Sequence, residues 1–169
     1  MPTYGVAVTI PEPWGPHLQK SREAFGDTMA PAIPPHVTLL PPTVVEADVM
    51  DDFTVHLERV AQRAEPFRMV LSGTGTFRPV SPVVFVQVSR GISACEGLER
   101  DVRGGPVGRE LEFPYHPHVT VAHHLTEEEM DEAFDALADF RCAFDVTDIE
   151  LYHHDSDWVW RVLRSFPLG

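Results

Sequence analysis

Histidine and threonine recur in one short pattern at two places in the chain, Pro35-His36-Val37-Thr38-Leu39-Leu40 and Pro117-His118-Val119-Thr120-Val121-Ala122. Successive side chains of a strand point to opposite faces. His36 and Thr38 therefore share a face with Val37 and Leu39 packed behind, and His118 and Thr120 share one with Val119 and Val121 behind. Each segment offers an imidazole and a hydroxyl about 7 Å apart along the backbone, from two strand rises. Set across a cleft, two such pairs suit phosphodiester chemistry without a metal. Opening a cyclic phosphate needs a base to activate water and an acid to protonate the departing sugar oxygen, and histidine serves either role near neutral pH. The hydroxyls can hydrogen-bond the non-bridging oxygens, where charge builds in the transition state. One copy alone would hold half of this machinery.

The elements around each copy repeat as well. Tyr4–Ile10 reads as a strand and Pro13–Phe25 as a helix with Trp14, Leu18 and Phe25 on one face. A proline-rich approach leads to a strand His36–Leu40, ended by Pro41 and Pro42, and to an amphipathic helix Asp48–Ala64 with Asp48 as N-cap. Phe67–Phe77 is the next strand. The series then restarts with a strand Val83–Val88 and a helix opened by a Ser93–Glu96 capping box and running to about Arg103. The second motif strand, His118–Ala122, precedes a helix opened by a Thr126–Glu129 capping box; strands at Cys142–Val146, Ile149–His153 and Trp158–Phe166 finish the chain. The two histidines stand 82 residues apart, a period that fits a duplicated half-domain rather than a solenoid. The expected fold is α+β: two pseudo-symmetric lobes of antiparallel sheet plus helices flanking a central cleft. The lobes are expected at roughly 1–80 and 81–169 within a single domain, with strands open to exchange between them.

The paired His-x-Thr-x segments, their spacing and the duplicated lobes resemble the two-histidine (2H) phosphoesterase superfamily, and within it the 2'-5' RNA ligase and cyclic phosphodiesterase branch. The resemblance implies metal- and ATP-independent cleavage of 2',3'-cyclic phosphates of nucleotides or RNA ends, and for some members reversible 2'-5' joining of RNA ends. It implies that His36 and His118 are the acid–base pair, with Thr38 and Thr120 as phosphate ligands. Several members carry a basic residue, often arginine, soon after the second motif. Here Ala122-His123-His124 follows, and His123 is the candidate for that phosphate contact. Tyr115 is a second candidate substrate contact, as an aromatic beside the cleft able to stack on a base.

The chain has 169 residues and a formal net charge of -13, which argues against a long footprint on duplex DNA. A small cyclic phosphate or a short RNA end is the expected partner. The opening MPTYGVAVTIPEP lacks a signal-peptide pattern, no apolar run approaches a membrane span, and Cys95 and Cys142 stand apart, so a cytoplasmic protein with reduced thiols is expected. No cofactor is expected. His116, His123, His124, His153 and His154 invite a metal reading, but neither H-E-x-x-H nor paired cysteines accompany them. The alternatives are a non-catalytic module that binds nucleotide or RNA phosphate ends and, below it, a metal-dependent hydrolase using the His116–His124 cluster.

Overall fold

The computed structural model describes residues 3–169, folded into one eight-stranded antiparallel sheet with four α-helices. In chain order the elements are β1 (Thr3–Thr9), α1 (Trp14–Ala24), β2 (His36–Val44), α2 (Met50–Arg63), β3 (Phe67–Thr76), β4 (Val83–Arg90), α3 (Ile92–Arg103), β5 (His118–His123), α4 (Glu127–Ala136), β6 (Arg141–Val146), β7 (Asp148–His154) and β8 (Arg161–Pro167). A short 3-10 helix, Ala30–Ala32, precedes β2.

The strands lie in the order β6-β3-β4-β5-β2-β1-β7-β8, with the two motif strands at the centre. β2 and β5 meet at Val37 and Val119. Outward from this pair the two sides have corresponding layouts, β2-β1-β7-β8 and β5-β4-β3-β6. Each side draws on both halves of the sequence: β3, from the first half, bonds to β4 and β6 of the second, and β7 returns from the C-terminal region to bond β1.

Alternation within the motif strands sorts their side chains. Val37, Leu39, Val119 and Val121 are buried, packed into one core with Leu18 of α1, Phe53 and Leu57 of α2, Leu98 and Val102 of α3 and Met130 of α4. α1 and α4 pack on the β5 side, α3 on β2, and α2 on α3 and β8. Helices thus cover the valine face, and the histidine–threonine face is left for the cleft.

Several local readings change. β2 does not stop at Pro41 but runs through both prolines to Val44. Tyr4 pairs with Thr43 and Val6 with Leu40, so Pro41 and Pro42 together oppose Gly5 in a bulge, where a missing N–H breaks no ladder bond. α2 starts at Met50 with Val49 at its N-cap and no side-chain cap, so Asp48 lies outside it; Asp51 and Asp52 in the first turn complement the helix dipole instead. α3 is capped by Gly91 rather than by Ser93. This glycine sits in the left-handed region, φ 99°, which leaves Ser93 inside the helix and without a capping bond. The Thr126–Glu129 box is present with both reciprocal bonds. β8 begins at Arg161 rather than at Trp158. Among the described residues no helix is long and apolar enough to cross a membrane.

Candidate active site

Both motif histidines open their strands, and both are held the same way. The carbonyl of Pro34 accepts a hydrogen bond from His36 Nδ1 at 2.7 Å, and the carbonyl of His116 accepts one from His118 Nδ1 at 2.7 Å. A carbonyl can only accept, so Nδ1 carries the proton in each ring and Nε2 is left for chemistry. The intervening residue is proline in both copies. Its fixed φ and lack of an N–H preset the turn that brings the carbonyl two residues back onto the ring.

Register makes the four corners. Because Val37 opposes Val119 in an antiparallel pair, Thr120 is the cross-strand neighbour of His36 and Thr38 that of His118. The imidazoles occupy one diagonal and the hydroxyls the other, with diagonal neighbours about 7–8 Å apart at the backbone. That separation suits two imidazoles addressing opposite sides of one phosphorus.

The electrostatics are not symmetric. His36 is pulled down from its ordinary value to about 4, first by burial, and further by the Arg22 guanidinium and by His118, against the opposing bond to Pro34. His118 is lowered too, by burial and by His116, with its own backbone bond opposing. The indole of Trp160 stacks on His36, ring centres 4.6 Å apart and planes 29° apart, and the backbone N–H of Trp160 donates to the Ala32 carbonyl at 2.9 Å. Thr9 pairs with His36 across β1–β2, and its hydroxyl hydrogen-bonds the phenol of buried Tyr152. His118 instead packs near-perpendicular to the Phe77 ring, centres 5.0 Å apart, and tilted against the Phe85 ring at 5.3 Å, and opens on a cavity of about 800 Å³ that Thr38, Tyr115, His116 and Phe113 also line.

The other expected contacts fall in distinct places. Tyr115 lines the cavity, but its hydroxyl is committed: it donates to the Thr38 carbonyl at 2.7 Å, and burial pushes its ionisation well up. This pins the motif strand from the loop before β5. His123 ends β5 opposite Val83, exposed, with its ring 3.9 Å from that of His124. His153 stacks on Tyr4, and buried His154 is hydrogen-bonded to Thr3 at 2.8 Å. Among the described residues no three histidine, cysteine, aspartate or glutamate side chains group as metal ligands.

Sequence reasoning passed over Arg22 and Trp160. Arg22 is buried, and its Nε donates to Asp27 Oδ2 at 2.5 Å, with Met29 N–H donating to Asp27 Oδ1 at 2.9 Å. A buried charge of this kind persists only with a partner. The signal was present: Arg22 shares the buried face of α1 with Gly15 and Leu18, an odd place for an unpaired cation. Nothing local marks Trp160, which reaches the site through the β7–β8 connection.

Comparison with known proteins agrees with this architecture. A family model described as the 2'-5' RNA ligase superfamily matches residues 10–158. A Halalkalibacterium halodurans protein named as a candidate phosphoesterase is 27% identical over 98% of this chain and 97% of its own. A Bacillus cereus protein with a name of the same kind is 25% identical over 81% of this chain and 80% of its own. Among solved structures, TT0787 of Thermus thermophilus superposes with a TM-score of 0.66 at 21% identity, over 98% of this chain and 97% of that one. LigT of E. coli complexed with 3'-AMP gives 0.66 at 18% identity, over 100% and 99%.

Proposed function

This chain belongs to the 2'-5' RNA ligase superfamily of 2H phosphoesterases, and we propose that it hydrolyses 2',3'-cyclic phosphates of nucleotides or RNA ends by metal-independent acid–base catalysis. The observation that carries the reading is the pair of imidazoles, each locked in one tautomer by a backbone carbonyl two residues upstream and set on one diagonal of a four-cornered site. In that reading His36 and His118 exchange protons with water and the departing ribose oxygen, and Thr38 and Thr120 donate to the non-bridging oxygens. The solved LigT complexes with 3'-AMP, NADP+ and ATP support a nucleotide as the substrate class. Joining of RNA ends in a 2'-5' linkage would use the same groups with a 5'-hydroxyl in place of water, and cleavage of that linkage would run the step in reverse.

The test is incubation of the purified protein with a panel of 2',3'-cyclic nucleotides in excess EDTA, with products resolved as 2'- or 3'-phosphates by phosphorus NMR. Single-isomer ring opening that survives the chelator is expected. Turnover that disappears with EDTA and returns with a divalent metal would overturn the reading, and binding without turnover would favour a phosphate-end binding module.

A further inference from the structure

A chain of stacked rings runs from the first motif out to the surface. The Trp160 indole lies on His36 with centres 4.6 Å apart, His154 lies beyond it at 6.1 Å, and Trp158 lies beyond His154 at 5.1 Å, the planes 28–29° apart at each step. The inner members are held in place. Gly5 lies against the Trp160 indole, where an added Cβ would stand 3.6 Å from it. Buried His154 donates from Nδ1 to the Asp155 carbonyl at 3.3 Å and accepts at Nε2 from the Thr3 hydroxyl at 2.8 Å. The outer member, Trp158, stands in the β7–β8 connection, is 58% exposed, and lines no part of the cavity beside His118. With one face on His154, that exposure leaves its other face open to solvent. Its backbone is left-handed, φ 60°, which among the described non-glycine residues it shares only with His124. A bulky side chain is strained there and a glycine is not. The turn is braced around it: the Trp158 N–H donates to the Asp155 carbonyl at 3.1 Å, the Val159 N–H to Asp157 Oδ1 at 3.1 Å, and Arg161 pairs with Asp157 at 2.6 Å. An indole kept at a strained, braced position is kept for its side chain rather than for the turn.

Resting on the cyclic phosphodiesterase reading, we infer that Trp158 is a stacking platform, outside the cleft, for an upstream base of a single-stranded RNA end. The preferred substrate is then an oligonucleotide end rather than a mononucleotide. An open indole face stacks on any base and needs no hydrogen-bond readout. The chain of rings starts on His36, so a strand whose terminal phosphate lies between the motif histidines can lay an upstream base on the outer ring. Stacking also needs no cationic groove. Arg161 in this connection is committed to Asp157, Asp155 adds a further carboxylate, and the whole chain carries a net charge of -13. A protein so charged gains little from phosphate contacts and holds a strand through its bases instead.

The experiment compares adenosine 2',3'-cyclic phosphate with a triadenylate ending in the same cyclic group. W158A should lower kcat/KM on the triadenylate about tenfold, mostly through KM, and leave the mononucleotide within about twofold, while W158F keeps most of the triadenylate rate. If W158A does not fold, W158G, which relieves the left-handed strain, is measured in its place with thermal unfolding as the control. The loss should be the same at about 0.05 and about 0.3 M salt, because a base on an indole releases no counterions. Equal losses on both substrates, or no loss on the triadenylate, overturn the platform; a loss that vanishes at the higher salt overturns stacking as its cause. Binding is read separately, by quenching of tryptophan fluorescence with triadenylate 3'-phosphate, which has no cyclic ester to open. The quench should be largely lost in W158F, and an undiminished quench overturns the platform. A wild-type protein that opens neither cyclic phosphate yet shows the Trp158-dependent quench refutes the phosphodiesterase reading and upholds the platform; one that shows neither refutes both.

Discussion

His36 and His118 begin equivalent strands and make the same bond to the carbonyl two residues before them, at 2.7 Å in both cases, yet they live in different surroundings. His36 lies under an indole, beside Thr9 and near a buried Arg22–Asp27 pair. His118 lies against two phenylalanine rings and faces open volume. What the copies share is what fixes a tautomer and aims Nε2. What they do not share sets pKa and access, the two properties by which an acid and a base must differ. A pseudo-symmetric pair can therefore serve an asymmetric reaction, with the symmetry kept in the backbone and broken by side chains from distant segments.

Several measurements break or sharpen this contrast. The largest effect belongs to the shared part. H36A and H118A should each lower kcat on a 2',3'-cyclic nucleotide about 10³-fold, and the double variant should lose little more, since groups that act as a unit are not additive. Multiplicative losses in the double variant would mean that the imidazoles act independently. Next, T38A and T120A should each cost about 10²-fold in kcat, with KM changed less; a pure KM effect would leave the hydroxyls as ground-state contacts only.

The pH dependence addresses the unequal part. His36 is lowered in the fold, so between pH 6.5 and about 4 the unfolded chain binds the extra proton. Its contribution to stability is present above 6.5 and lost as pH falls towards 4, on the order of 3 kcal/mol in full. Urea melts of wild type against H36Q over that range should converge as pH falls; parallel curves would mean that His36 is not depressed. Replacing Trp160 by alanine admits water to the ring, which should raise the His36 pKa and move the acid limb of the kcat/KM profile to higher pH. A limb left in place would remove the indole as a cause of the asymmetry. The smallest effect compares helix starts in the second copy: T126A should cost about 1 kcal/mol for its lost cap, and S93A almost nothing. Equal costs would restore Ser93 as a cap.

What the sequence made legible was what repeats locally. Alternation in His36–Leu39 and His118–Val121 places valine and leucine in the core opposite the histidine face, and the capping box at Thr126 stands where its residues predict. The fold class follows from the same repetition. Strand termination at Pro41 fails because a bulge opposite Gly5, invisible without the partner strand, absorbs both prolines. The caps at Asp48 and Ser93 fail because capping residue types occur near helix starts without standing at the start itself. Trp160 and Tyr152 are far from His36 in sequence, and only the pairing of β7 with β1 brings them over the first motif.

The central claim is that both motif copies address one phosphate. It is tested most directly by NMR titration of the His36 and His118 imidazole nitrogens, with and without a bound nucleoside 2'-monophosphate. If both rings face the same anion, both pKa values rise together on binding and Nε2, not Nδ1, takes the proton in each. A rise in only one of them, with the other unmoved at saturation, would contradict the shared site.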